Sequence, residues 1–135
     1  MPQISILLVE DNEDDRFLTK RIIKKLPFEV NLEISKNGAD CLRRILGNGV
    51  EKKDLPSLVL LDLQLPKIDG IKLLEKIRDR YNEEDLPVII LSSSDNPRDI
   101  AQCWELGVSG YLEKPLESSH LQQILKNLGT NLNLP

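Results

Sequence analysis

LVLLDLQLP, residues 58–66, opens with four apolar residues and then places an acid, Asp62, before the polarity can change. Leu58, Val59, Leu60 and Leu61 show no alternation, which suits a parallel strand covered on both faces. A carboxylate beside such a strand costs free energy unless it is paired, hydrogen-bonded or bound to a cation. The stretch therefore sets two expectations: a central strand of a parallel sheet, and an acid that needs company.

Working outward, four more short apolar runs occur: SILLV (5–9), VNLEIS (30–35), PVIILS (87–92) and SGYLE (109–113). SLVLLDL (57–63) makes the fifth. Between and after them lie DDRFLTKRIIKKL (14–26), ADCLRRIL (39–46), GIKLLEKIRDRY (70–81), NPRDIAQCWELG (96–107) and SSHLQQILKNLG (118–129), each apolar at helical spacing. Ile71, Leu74 and Ile77 form one stripe, with Arg78 on the face beside it. Leu121, Ile124, Leu125 and Leu128 form another. Asn12 or Asp14 suits the start of the first helix. Asp95 or Asn96 before Pro97 suits another, and Ser118 or Ser119 suits the last, with Gly107 and Gly129 as stops. Strict alternation of strand and helix predicts an α/β fold, a five-stranded parallel sheet with right-handed crossovers and helices on both faces. We expect one domain over residues 1–129 and a short tail over 130–135.

Composition narrows the classes. The chain has 135 residues, 40% apolar and 30% charged, with a formal net charge of −4. That acidity and the lack of a basic patch argue against nucleic acid as a partner. The run KRIIKK (20–25) is broken by isoleucines at helical spacing and reads as a solvated helix face. Cys41 and Cys103 are far apart and His120 is the only histidine, too few ligands for zinc. His120 itself reads as solvated. Two unpaired thiols fit a reducing compartment. No leader pattern and no apolar run near the ~18 residues of a membrane span is present, so a cytoplasmic protein with no membrane contact is expected.

Ligands of an open parallel sheet bind outside the carboxyl ends of its strands. By that rule Glu10 and Asp11 after the first strand, Asp62 at the end of the third, Ser92 at the end of the fourth and Lys114 at the end of the fifth share one edge. Taken singly, each has a bland reading. Glu10 and Asp11 suit the first turn of the next helix, Asp62 suits a loop or cap, and Lys114 suits an exposed loop. Taken together they are a constellation. Carboxylates that converge raise one another's pKa unless a cation intervenes. Oxygen ligands select a hard cation such as Mg2+, which commonly bridges to phosphate. An aspartate can also carry a phosphoryl group. The set reads as a site that accepts phosphoryl on Asp62, with Mg2+, Lys114 and the Ser92 hydroxyl supplying positioning and charge.

ILLVEDNEDD (6–15), LLDLQLPKIDG (60–70), PVIILSSSD (87–95) and GYLEKP (110–115) together resemble, in order and spacing, the receiver domain of two-component response regulators. The resemblance implies the strand order 2-1-3-4-5. It implies that Asp62 is the phosphoacceptor and that Asp11, Glu10, Asp62 and the backbone carbonyl of Gln64 hold the metal. Ser92 then resembles the switch hydroxyl and Tyr111 the aromatic that follows it inward. Lys114 resembles the phosphate-pairing lysine, and its bond to Pro115 is expected cis. Pro66 and Gly70 match the loop after the acceptor. A histidine kinase or phosphotransfer protein would donate the phosphoryl group, and the chain would perform no other reaction. Output would be a protein contact, to a downstream target or a second copy, through the last two helices and the fifth strand. Ile100, Trp104 and Tyr111 are placed on that face, with Trp104 expected at least half exposed.

Some positions vary from the family's habit. Ser93 stands where a small alanine is usual and is expected to narrow access slightly. Gln64 and Ser94 occupy positions that tune the lifetime of the aspartyl-phosphate, and Glu113 should turn away from the site by strand alternation. The connection GNGVEKKDLP (47–56) resembles that of small phytochrome-associated regulators. Three rival readings are set aside on the residues. A dehalogenase-type hydrolase needs a second acid where Gln64 stands, and a flavin binder needs a phosphate loop where EDNEDD (10–15) would repel phosphate. A degenerate scaffold would not need all of Glu10, Asp11, Asp62, Ser92 and Lys114.

Overall fold

The computed structural model describes residues 4–129. Strands β1 (Ile4–Val9), β2 (Val30–Ser35), β3 (Leu58–Asp62), β4 (Val88–Ser92) and β5 (Gly110–Glu113) form one parallel sheet in the order β2-β1-β3-β4-β5. Helices α1 (Glu13–Lys24), α2 (Gly38–Leu46), α3 (Gly70–Arg80), α4 (Pro97–Glu105) and α5 (Ser118–Asn127) alternate with them. Fold class and strand order are as expected. The expected tail over 130–135 lies outside the described residues.

All five residues of β3 are buried, as are all five of β4. Alternate side chains of the sheet feed two cores. Leu7, Val9, Val59, Leu61, Val88 and Ile90 meet residues of α2, α3 and α4 such as Ile45, Leu74, Ile77 and Cys103. Ile6, Leu8, Leu58, Leu60, Ile89 and Leu112 meet Ile23 of α1 and Leu121 and Leu125 of α5. Burial on both sides is why these runs lack alternation. Asp62 shares the parity of Leu58 and Leu60, so its side chain belongs to the α1 side of the sheet.

Strand limits differ slightly from expectation. β1 begins at Ile4, while Ser57, Pro87 and Ser109 lie just outside β3, β4 and β5 and still bond at the entrances, Ser57 N–H to Ser5 O at 2.7 Å and Ser109 N–H to Val88 O at 2.8 Å. Asn12 caps α1 by accepting from the Asp15 N–H, and Asn96 caps α4 ahead of Pro97. The cap of α5 departs from the reading of Ser118 or Ser119: the capping position is Glu117, whose side chain makes no capping bond. That helix instead depends on Leu121 and Leu125, both buried. It also ends at Asn127 with Leu128 as its cap, one residue before the expected Gly129. Gly107 does serve as a stop after α4, at φ +82. Residues 47–56 are not a featureless connection, because Lys52–Asp54 form a 3-10 turn.

Arg78 does more than border a stripe. Its guanidinium donates to the carbonyls of Gly107 (3.0 Å), Leu86 (2.9 Å) and Tyr81 (3.2 Å), pinning the ends of α3 and α4 together. On the same side of the sheet Arg44 of α2 forms a forked pair with Glu33 of β2 at 2.7 and 3.1 Å.

Gly70 positions the turn after Asp62. A Cβ there would lie 2.5 Å from the Leu63 Cα, 2.8 Å from the Leu63 carbonyl oxygen and 2.9 Å from that of Asp62. These are backbone atoms, so no rotamer change relieves the clash. Gly70→Ala is expected to destabilise the fold by about 1–3 kcal/mol, the range for overpacking, read from the midpoint of urea unfolding. An unchanged midpoint would show that this loop yields without cost.

Candidate functional site

β1 and β3 lie side by side, with Val9 paired to Leu61, so the residues that follow, Glu10 and Asp62, emerge together. Glu10 is fully buried and Asp62 is 3% exposed, whereas Asp11 faces solvent. Carboxylate oxygens of Glu10, Asp11 and Asp62 all lie within 4.8 Å of one another. Lys114 arrives from the end of β5, whose chain is steadied by its own N–H donating to Ser92 O at 2.8 Å. Its Nζ donates to Glu10 Oε1 at 2.6 Å, Asp15 Oδ2 at 2.8 Å and Asp62 Oδ2 at 3.1 Å. The other Asp62 oxygen, Oδ1, accepts from the Gln64 N–H at 3.0 Å. The acid at the end of the apolar strand is thus both paired and hydrogen-bonded. A cavity of about 530 Å3 opens over it, lined by Asp11, Asp15, Asp62, Gln64, Ser93 and Lys114 among others.

Charge in this place is finely set. Burial, aided by the neighbouring Asp62 carboxylate and partly offset by Lys114, pushes Glu10 from 4.5 to about 7. Burial acts against the charge on Lys114, but hydrogen bonds to Asp15 and Glu10 and the charge of Asp62 outweigh it, leaving its pKa above the ordinary value. The carboxylates of Glu10, Asp11, Asp15 and Asp62 outnumber the one ammonium, that of Lys114, placed among them. The donors of the acidic cluster are all oxygen, so it can bind a divalent metal of the hard class.

Ser92 is fully buried, and its Oγ accepts from the Ser94 N–H at 3.0 Å. Ser94 O in turn accepts from the Tyr111 hydroxyl at 3.0 Å, so Ser92 and Tyr111 are joined through one residue of the loop after β4. Ser93 is not simply a bulkier side chain at the mouth: its hydroxyl donates to the Gln64 side-chain carbonyl at 2.6 Å, bridging the loops after β3 and β4. Glu113 points to solvent, and the Lys114–Pro115 bond is cis. Trp104 is 52% exposed on α4 and Ile100 partly so. His120 is exposed beside Glu117 at 3.5 Å, outside the site. Burial pushes the Cys41 thiol to about 12 and Cys103 to about 11, so neither is a nucleophile at neutral pH.

Two contributors were missed in the sequence. Asp15 is the third partner of Lys114, and Arg16 donates to the carbonyls of Glu10 (3.1 Å) and Asp11 (2.8 Å), bracing the acidic loop. The available signal was place: Asp15 lies in the first turn of the helix that directly follows Glu10 and Asp11.

The sequence pattern described as the response regulator receiver domain matches residues 6–126. The chain belongs to that family. Among characterised relatives, this receiver domain is 35% identical over 126 residues to the probable methanogenesis regulatory protein FilR2 of Methanothrix harundinacea, covering 91% of this chain and 79% of that one. It is 34% identical to the response regulator Rcp1 of Synechocystis sp., covering 93% and 84%. The Mn2+-bound form of Rcp1 superposes with a TM-score of 0.73 at 30% identity, over 94% of this chain and 92% of that one. The phosphorylated cyanobacterial phytochrome response regulator RcpA gives 0.75 at 29% identity, over 97% and 94%. Among the described residues no helix is long and apolar enough to cross a membrane.

Proposed function

We propose that this receiver domain is a phosphorylation-dependent switch whose acceptor is Asp62. The observation that carries the reading is the triple contact of Lys114 with Glu10, Asp15 and Asp62 beneath an open cavity. It sets a carboxylate nucleophile and a fixed cation where a phosphoryl group can enter. In the transfer, a P–O bond to an Asp62 oxygen forms as the donor's bond to phosphorus breaks. The electron pair leaves with the imidazole of a phosphohistidine, or with acetate if the donor is acetyl phosphate. A histidine kinase or phosphotransfer protein is the physiological donor class. Glu10, Asp11, Asp62 and the Gln64 backbone carbonyl would hold Mg2+, whose charge offsets that of the transferring group. The Mn2+-bound form of the similar regulator Rcp1 supports a divalent ion but does not select magnesium. The reaction assigned to this domain is its own phosphorylation.

The new group draws in Lys114 and the Ser92 hydroxyl. Turning Ser92 gives up its bond to the Ser94 N–H, and Ser94 O is the seat of Tyr111. A phosphoryl group that engages Ser92 therefore shifts Tyr111, and it does so only in proportion to how much better it fits the shifted state. The readout surface is α4, β5 and α5, where Ile100, Trp104 and Tyr111 would meet a target protein or a second copy. Two buried thiols fit a cytoplasmic setting.

Incubation with Mg2+ and acetyl phosphate is expected to add the mass of one phosphoryl group, on the peptide containing Asp62. A chain that stays unlabelled would defeat the reading. Steady release of phosphate with turnover would point to a hydrolase instead.

A further inference from the structure

Resting on the reading of Asp62 as acceptor, we propose that Asp15 is a positioning residue that holds Lys114 back and so slows phosphoryl acceptance. An ammonium has three N–H donors. In this structure Glu10, Asp15 and Asp62 take one each, at 2.6, 2.8 and 3.1 Å. None remains for a phosphoryl oxygen, so one bond has to be given up when the group arrives.

The three bonds are not equal. The side chains of Glu10 and Asp62 are 0% and 4% exposed, and that of Asp15 is 35% exposed. Parting a buried carboxylate from the lysine costs more than parting one that water can reach, and water reaches Asp15. Asp15 is therefore the partner released. Its place in the first turn is fixed by its N–H donating to Asn12 Oδ1 at 2.9 Å, and it lines the cavity. Before release it opposes the reaction in two ways: it competes for the lysine, and it adds a negative charge where an anionic donor must pass. Release also unties α1 from the segment after β5, because Asp15 belongs to the first and Lys114 to the second.

The test compares wild type, Asp15→Asn, Asp15→Glu and Asp14→Asn, each shown folded by circular dichroism. The rate of mass gain from acetyl phosphate with Mg2+ is followed. Asp14 is exposed in the same turn and takes no part in the lysine's bonds. Its replacement therefore reproduces the change in net charge alone. Asp15→Asn is expected to label about three- to fivefold faster, the factor that corresponds to losing a partly exposed pair. Asp15→Glu should return to within about twofold of wild type, and Asp14→Asn should match wild type. If Asp15→Asn labels at the wild-type rate, or Asp14→Asn gains equally, the inference is overturned and the reading of Asp62 stands. If wild type takes no label, the reading of Asp62 fails first.

Discussion

Asp62→Asn is expected to remove phosphoryl labelling altogether, a loss of at least about a thousandfold in rate, as for other deleted nucleophiles. An amide cannot form the acyl phosphate, and the nearby acids are poor substitutes. Glu10 is fully buried and Asp11 lies outside the lysine's three bonds. The fold should survive the change. Asparagine matches the shape of aspartate, and its carbonyl can still accept from the Gln64 N–H that now bonds Asp62 Oδ1. Lys114 keeps Glu10 and Asp15, and the repulsion between Glu10 and residue 62 disappears. We expect stability within about 1 kcal/mol of wild type. Intact-mass measurement and urea unfolding on one preparation check both halves. Equal label on the variant would move the acceptor to another residue.

Magnesium binding should carry a strong pH dependence that belongs to Glu10. Its carboxyl is raised to about 7 by burial and by Asp62, so in the metal-free protein it is largely protonated below that pH. A cation has to displace the proton. Affinity should fall about tenfold between about pH 8 and about pH 6, with about one proton released per ion at the lower value and almost none at the higher. Calorimetry in two buffers of different ionisation enthalpy reads that proton directly. Without metal, the linkage has the opposite sense. A group whose folded pKa lies above its unfolded 4.5 stabilises the fold fully below that unfolded value, and the contribution is lost as pH rises through about 7. The metal-free protein should therefore lose stability on going from pH 5 to pH 8, and magnesium should restore it at the upper end. A proton release that is the same at both pH values would remove Glu10 from the metal's surroundings. In Asp62→Asn the dependence should weaken, because one cause of the raised pKa is gone.

Much of this was legible in the chain because each part obeys a local rule. Unbroken apolar runs announce strands covered on both sides, and the residues that end them fall on one edge. That is how Glu10, Asp62, Ser92 and Lys114 could be gathered from four places. The order of the strands came from the resemblance of four motifs, since periodicity alone does not order a sheet. What escaped was reach. Asp15 reads as an ordinary first-turn acid until Lys114 is seen to extend to it across 99 positions. Ser93 reads as a small obstruction until its hydroxyl is found on Gln64. Arg78 sits beside an apolar stripe, and only the packed helices show it gathering three carbonyls. The start of α5 was misread because serines are good caps in general, whereas here the helix is held by its buried leucines.

The bonds of Lys114 also bear on how the protein comes into being. They close spans of 104, 99 and 52 positions, from the residue after β1, from α1 and from β3 to the residue after β5. Contacts so distant form late, since the intervening chain has to be ordered before they can reward it. During synthesis, β1 through β4 can leave the ribosome and pair while the acid cluster still lacks its cation. The pocket is completed only when the last strand docks. A chain caught short of that point holds buried acids with no counter-charge, so competence to signal and completion of folding become the same event.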